Sequence, residues 1–443
     1  MERELRSSGT SPMTRSSPGT SESKTSPRSA PSGSPGDLDP LQASVTAAFF
    51  AFVGNSPSPI TDIFSRSFMQ TYLKTSIPVR AVVTTIGNIC LEVQRHPDLR
   101  SRMSAAAAVM EKDRNMLNRF LEHLVAPDSH DQHIMLLYGI LKIYAELMSS
   151  ETWVCSRATF VRLAAKVRKQ LEQRRRRPLL YFDKGLLMHF SLLGAIYSLL
   201  SFGDSFLVNF EFYDPSPFEN VKSLTGHIRI NSAIFHHFTQ FLTHFARLHH
   251  RAFNWVHEAR SALNDKHLTG EVSEAESREI LIAAGLMQKG TEIISSSASA
   301  MNSVERLRGV GYNDNDDDGE SKSTDFCTLR EAYYHYALMA LTRAFCDPVW
   351  NLVAEDLPRF ICMPELEAYG ELVRERIAQR MSGVGMEAWS YLFILIGVGM
   401  ASRTPRNRRV LRELFYSGFA SVEAFLADLR LIWGEEYNGA HYA

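Results

Sequence analysis

The chain has 443 residues, of which 45% are hydrophobic and 22% are charged, which is enough apolar material for a substantial buried core. Disorder along the whole length is therefore excluded. Lys and Arg total 48 against 49 Asp and Glu, so the overall charge creates no general attraction to nucleic acid or to anionic lipid.

Cysteine usage and the first residues favour an intracellular protein. The cysteines are odd in number and widely spaced, which is typical of a reducing compartment rather than of a disulfide framework. The sequence before residue 40 contains no apolar stretch of the kind that a secretory signal requires. The cysteines are Cys90, Cys155, Cys327, Cys346 and Cys362.

Residues 1–40 predict a disordered tail. They contain eleven Ser, four Thr, six Pro and four Gly and no aromatic residue, a composition that cannot bury enough surface to offset chain entropy. Four serines precede proline and are candidate phosphorylation sites, although a plain spacer explains the same pattern equally well. These serines are Ser11, Ser17, Ser26 and Ser34.

Residues 41–437 predict one large all-α domain. Apolar residues recur there at helical spacing, as in Phe238–Trp255, and neither a βαβ alternation nor a fixed internal repeat is found. Thr328 and Glu331 have the spacing of a capping box and predict the start of a helix that Pro348 ends. The polar stretch at about 309–323 predicts a mobile acidic loop.

One segment offers a membrane alternative. Gly185–Gly203 contains no Asp, Glu, Lys or Arg over nineteen residues, close to the length of a transmembrane helix. A helix that is buried on all its sides inside a globular core has the same composition. The buried helix is the main prediction, and a membrane-associated protein anchored here is one alternative.

A basic run lies at the end of a predicted helix. Multiple cationic donors of this kind are typical of a nuclear import signal, and they also suit a solvated helix end or direct contact with DNA. The residues are Lys166, Arg168, Lys169, Arg174, Arg175, Arg176 and Arg177.

The acidic stretch Asp314–Glu320 resembles two metal sites incompletely. It opens like a calcium loop, but Ser321 and Asp325 stand where that loop needs an apolar residue and a bidentate Glu. Asp316–Glu320 also has the DDxxE pattern of a metal-dependent terpene cyclase, without the second metal motif of such enzymes. A solvated loop is favoured, and a cyclase-like enzyme is the second alternative.

The histidines predict no metal site either. Six of them lie between 236 and 257, and no two have the i, i+3 or i+4 spacing of a zinc pair on a helix. His130 and His133 have that spacing, but one such pair at a helix start is weak evidence for a metal site. No nucleotide-binding or nucleophile motif is found. We therefore expect no catalytic residue, no cofactor and no metal, and a protein that is not an enzyme.

Short motifs in the second half of the chain resemble the regulatory region of fungal-specific zinc-cluster transcription factors. The resemblance covers about residues 45–437 and rests on short motifs that occur in the family's order. These motifs are Leu224–Ile230, Leu329–Tyr334, Trp389–Gly397, Arg408–Val410 and Leu431–Trp433. The six clustered cysteines of the family's DNA-binding module have no counterpart here.

The resemblance implies a transcriptional regulator or co-regulator in the nucleus, with possible shuttling to the cytoplasm. Its partner is expected to be another transcription factor or co-regulator protein, in a homodimer or a heterodimer. Neither membrane association nor direct sequence-specific DNA binding is expected. Family members of this kind often act on secondary-metabolite gene clusters, so such a role is implied by the resemblance alone.

Overall fold

The computed structural model describes a large part of the chain from residue 40 onward. The described residues are 40–54, 64–126, 131–150, 154–173, 181–200, 226–264, 273–310, 324–355, 357, 365–380, 386, 394–395, 397–399, 405 and 408–409. All of them belong to one compact unit, Pro40–Ala443. No β-strand occurs among them, which confirms the all-α prediction for this part of the chain.

The helices of the described ranges are numbered here in chain order. They are α1 (Pro40–Val53), α2 (Arg66–Thr75), α3 (Ile77–Arg95), α4 (Leu99–Val125), α5 (Gln132–Ser149), α6 (Val154–Gln173), α7 (Tyr181–Leu200), α8 (Gly226–Leu263), α9 (Glu274–Ala283), α10 (Leu286–Gly309), α11 (Thr324–Ala344) and α12 (Leu366–Arg380). A short 3₁₀ turn, Pro348–Leu352, follows α11.

Several helices begin where a side chain satisfies the first free backbone N–H groups. Asp98 accepts a hydrogen bond from Ser101 N at 2.8 Å at the start of α4, and Asp131 accepts one from Ile134 N at 3.1 Å at the start of α5. Asp347 does the same for the 3₁₀ turn. Such caps stabilise a helix end by about 1 kcal/mol. They explain why short polar breaks suffice to separate these helices.

The N-terminal helix group consists of α1–α6. Helix α3 packs against α1, α4 and α5, and α5 in turn contacts α4 and α6. Nearly every residue of α5 is buried, so this helix forms the centre of the group. A helix that is buried on every side is apolar around its whole circumference.

The C-terminal helix group consists of α8–α12 and the 3₁₀ turn. Helix α8 is 38 residues long and packs against α9, α10, α11 and the 3₁₀ turn, while α11 also packs against α12. The predicted apolar face of α8 is buried from Phe238 to Trp255. Helix α7 connects the two groups because it contacts both α5 and α8, and one continuous apolar core runs through all of them.

Helix α11 corrects one prediction. It begins at Thr324, four residues before the predicted capping box, so Thr328 lies inside the helix and is not its cap. Neither Gly nor Pro occurs between 324 and 328, and nothing in this stretch opposes helix extension. The predicted end is close to the observed one, since α11 ends at Ala344 and Pro348 opens the 3₁₀ turn.

The apolar segment after Gly185 forms the greater part of α7. Its residues from 185 to 195 are buried, apart from the half-buried Ser191. Among the described helices, no single one has both the length and the apolar composition of a membrane span. Helices α2 and α3 meet these criteria only as a pair, and they are bent by 120° at the break between them.

Candidate ligand pocket and partner groove

A buried ion pair lies at the centre of the N-terminal helix group. Lys142 and Glu146 are one turn apart on α5, and their side chains are only 1% and 8% exposed. The Lys142 Nζ donates to Glu146 Oε1 and to the Thr159 hydroxyl of α6 at 3.0 Å. Burial of two charges is unfavourable unless each is paired and further hydrogen-bonded. Lys142 meets this condition through Thr159.

Glu146 meets the condition only in part. Its second oxygen, Oε2, is buried and has no hydrogen-bond partner among the described residues. An ionised carboxylate can accept about four hydrogen bonds. A buried carboxylate oxygen that accepts none destabilises the folded state. The carboxylate therefore has an unused accepting position.

The same glutamate lines a pocket between α4, α5 and α6, which we call the ligand pocket. Its volume is about 170 Å³. Both apolar and polar side chains line it, and two arginines contribute positive charge. The lining residues are Met110, Arg114, Asn118, Glu146, Ser149, Ser150, Cys155, Ala158, Thr159 and Arg162.

The charges around the ligand pocket leave a positive excess. Lys142 balances Glu146, and Arg114 forms an ion pair with Glu111 at 3.0 Å. Arg162 is exposed on α6, and no ion pair of this arginine occurs in the described part of the chain. The pocket can thus accept an anion at its rim and a hydrogen-bond donor at Glu146.

A second cavity, the partner groove, runs between α8 and the end of α11. Its volume is about 360 Å³. Phe253 is 51% exposed there, and Arg260 forms an ion pair with Asp347 at 2.8 Å across the groove. The lining residues are His249, Ala252, Phe253, Val256, His257, Arg260, Arg343, Ala344, Cys346 and Asp347.

The electrostatics of the partner groove also favour an anion. The pKa of His249 is lowered to about 4, mainly by burial and in part by the nearby Arg343 and His250. His249 is therefore neutral at pH 7. Two arginines, Arg260 and Arg343, line the groove against one acidic residue, Asp347, so positive charge is in excess among the lining residues.

The basic run has different structural roles along its length. Lys166 is half-buried, and its Nζ donates to the Ala126 carbonyl at the C-terminus of α4, where a cation is favourable. Arg168 and Lys169 are exposed near the end of α6. Arg174, Arg175, Arg176 and Arg177 lie outside the described residues.

Other predicted sites lie outside the described residues as well. They are Ser11, Ser17, Ser26 and Ser34, the acidic stretch Asp314–Glu320 with its DDxxE pattern, and His130. Among the residues that are described, no group of three metal-ligating side chains comes together.

The histidines of α8 lie at helix contacts. His236 is buried, His244 lies 3.2 Å from the Ser303 hydroxyl of α10, and His249 lines the partner groove. They are spread along a long helix and do not converge on one point.

Sequence reasoning missed both cavities. Lys142 and Glu146 are an i, i+4 pair of opposite charges inside an otherwise apolar helix, a signal that a buried ion pair was present. Phe253 had no comparable signal in the sequence.

No family model, curated protein or solved structure shows detectable similarity to this chain.

Proposed function

We propose that the chain is a transcriptional regulator or co-regulator that acts in the nucleus through a protein partner. The transcriptional part of the proposal is supported by the resemblance of residues 45–437 to the regulatory region of fungal-specific zinc-cluster factors. The proposal assigns no reaction to the chain. A role in secondary-metabolite gene regulation is implied by the resemblance alone.

The main structural support for a protein partner is the partner groove. A half-exposed aromatic ring in a groove that arginines also line is typical of a protein interface, where Phe and Arg are enriched. Phe253 has its ring at the surface, with Val256 beside it on α8 and Arg343 across the groove. An aromatic side chain loses little conformational entropy when a partner covers it.

The chemistry of the groove defines the partner segment. Its apolar floor fits a branched or aromatic side chain, and the Arg343 charge fits a carboxylate next to that side chain. We therefore expect the partner to present an acidic segment with an apolar anchor. Another transcription factor with its own DNA-binding module would bring the chain to its target genes.

Chromatin immunoprecipitation of tagged full-length variants tests the proposal. Phe253→Asp places a like charge against the acidic partner and removes the anchor, so promoter occupancy should fall at least roughly tenfold, as for the loss of a hot-spot residue. Phe68→Asp is the matched control, because Phe68 is 39% exposed on α2, away from the groove. Equal occupancy of wild type and Phe253→Asp, with both variants folded, would contradict the groove assignment.

Purified protein provides the second arm. We expect the purified protein to enrich no sequence from a random DNA pool at physiological salt, because attraction to the DNA backbone alone is not sequence-specific. Reproducible enrichment of one motif by the chain alone would overturn the requirement for a partner.

Nuclear import is tested on the basic run. Changing Arg174, Arg175, Arg176 and Arg177 to Ala in a fluorescent fusion should move the protein toward the cytoplasm. Lys166 is left unchanged because it caps α4. An unaltered nuclear signal would assign these arginines to a solvated helix end.

A further inference from the structure

We propose that the ligand pocket between α4, α5 and α6 binds a small carboxylate that also carries a hydrogen-bond donor, either a hydroxyl or an ammonium group. This site is separate from the partner groove, and the proposal does not depend on the partner-binding function. It assigns the chain a small-molecule ligand by the chemistry of the pocket.

The donor is required by Glu146. Its Oε1 is engaged by Lys142, while its buried Oε2 has no partner within the described ranges. A ligand O–H or N–H group that reaches Oε2 would complete the hydrogen bonding of this carboxylate. Hydrogen bonds to an ionised acceptor are roughly twice as strong as neutral ones.

The acid group of the ligand is inferred from the positive charge at the rim of the pocket. Once Lys142 is set against Glu146, and Arg114 against Glu111, the charge of Arg162 remains. A planar carboxylate matches a guanidinium in geometry and in charge. A ligand of this class therefore places its acid group at the mouth of the pocket and its donor at the inner end.

The pocket also limits the ligand's size. A volume of about 170 Å³ corresponds to a small organic acid and not to a nucleotide or a peptide chain. Ser149 offers little to such a ligand, since its hydroxyl already donates to the Ala145 carbonyl at 2.7 Å. The other polar residues of the lining are Asn118, Ser150 and Thr159, whose hydroxyl accepts from Lys142.

Cys155 provides a direct readout of occupancy. Its thiol is exposed, and it lines the ligand pocket, whereas the exposed Cys346 lines the partner groove. A ligand in the pocket should slow alkylation of Cys155 by N-ethylmaleimide and leave Cys346 unaffected. Peptide mass spectrometry of the full-length protein measures both rates in one sample.

The probes are four small molecules with the same three-carbon skeleton. L-lactate carries a carboxylate and a hydroxyl, L-alanine a carboxylate and an ammonium group, propionate a carboxylate alone, and 2-propanol a hydroxyl alone. Lactate or alanine, or both, should lower the Cys155 rate relative to Cys346. The slowing should reach about fivefold at a concentration about four times the Kd, because only the free pocket reacts.

Comparing the protection of Cys155 by lactate and by alanine shows whether the site prefers a hydroxyl or an ammonium donor. Equal protection by propionate would overturn the donor requirement and reduce the site to an anion contact at Arg162. Protection by 2-propanol alone would overturn the carboxylate requirement. Absence of protection by all four probes up to the tens-of-millimolar range would overturn the proposal, and a water molecule would then satisfy Glu146.

Two variants test the assigned residues. Arg162→Ala changes an exposed side chain and should weaken protection at least roughly tenfold, whereas Arg119→Ala, on the exposed side of α4 outside the pocket, should leave it unchanged. Glu146→Gln should also weaken protection while retaining the side-chain volume. If Glu146→Gln does not fold, Arg162→Ala against Arg119→Ala decides, and unchanged protection in Arg162→Ala would reject the site.

Discussion

The two helix groups solve the problem of a large helical core differently. The N-terminal group places an ion pair, Lys142 and Glu146, at its most buried point. The C-terminal group has aromatic stacking at its centre, where Trp255 and Trp350 lie 3.9 Å apart between ring centroids and Phe238 lies 3.7 Å from Tyr333.

The ion pair of the N-terminal group favours one particular arrangement of its helices, whereas the aromatic stack of the C-terminal group contributes mainly buried apolar area. An ion pair adds little net stability, because desolvation of the charges offsets their attraction, but it penalises every arrangement that separates the partners. Stacked aromatic rings bury large apolar areas and tolerate small shifts. We therefore expect the N-terminal group to be sensitive to the loss of one charge and the C-terminal group to the loss of ring volume.

The largest effect is expected in the C-terminal group. Trp255 is fully buried, stacks on Trp350 and donates its indole N–H to the Leu286 carbonyl at 2.8 Å. Trp255→Ala should lower the free energy of unfolding by about 5 kcal/mol through the cavity and the orphaned carbonyl. Chemical denaturation measures this, with Trp255→Phe, which keeps a ring, as the milder control. A decrease in the free energy of unfolding of less than about 2 kcal/mol would contradict a stabilising role for the Trp255–Trp350 stack.

A somewhat smaller effect is expected when one charge of the ion pair is removed. Lys142→Met leaves the Glu146 carboxylate buried and uncompensated, which should cost about 4 kcal/mol. The double variant Lys142→Met with Glu146→Leu should recover most of that loss, because neither charge then remains. A double variant as unstable as Lys142→Met alone would show that packing, and not charge, sets the sensitivity of α5.

Acid should destabilise the fold through His189 of α7, the helix that connects the two groups. This imidazole lies 2.7 Å from the Tyr144 hydroxyl, and burial lowers its pKa to about 3. Below about pH 6.5 the unfolded chain binds a proton that the folded chain does not, so stability falls as the pH drops from about 6.5 toward 3.

At pH 5 this difference amounts to about 2 kcal/mol for the single imidazole. Denaturation curves at pH 7.5 and pH 5.0 measure it, and His189→Leu should reduce the drop between the two by that amount. His249 is buried as well and contributes a drop of its own. An identical pH response in wild type and His189→Leu would contradict the assignment to His189.

The smallest effect is expected where Gly397 lies close to Tyr336 of α11. A Cβ atom built on Gly397 would lie 2.8 Å from Tyr336 Cε2, closer than carbon atoms normally approach. Gly397→Ala should cost about 1 kcal/mol, since the Tyr336 ring can give way in part. Thermal unfolding measures the shift, with Gly309→Ala as control because its added Cβ meets nothing within 4 Å.

Periodicity was sufficient to predict the helical class and much of the core. The apolar face of α8 from Phe238 to Trp255 is buried, and the uncharged stretch after Gly185 forms a buried helix. Local spacing carries this information because a helical face is set by residues that are three or four positions apart.

The cavities could not be predicted in the same way. The ligand pocket joins Arg114, Glu146 and Arg162 from three helices, and the partner groove joins Phe253 to Arg343, which lies far along the chain. Such pairings depend on how helices pack, and spacing within one helix does not encode them. The resemblance motif Trp389–Gly397 lies largely outside the described residues.

The contact between Lys166 and the Ala126 carbonyl couples surface chemistry to the fold. Acetylation of this lysine would remove its positive charge from the end of α4 while leaving a single N–H group in place. The helix terminus would lose its favourable cation, an effect of about 0.3–1 kcal/mol. Because α4 also forms one wall of the ligand pocket, modification of Lys166 would act on a helix of the pocket without touching any residue that lines it.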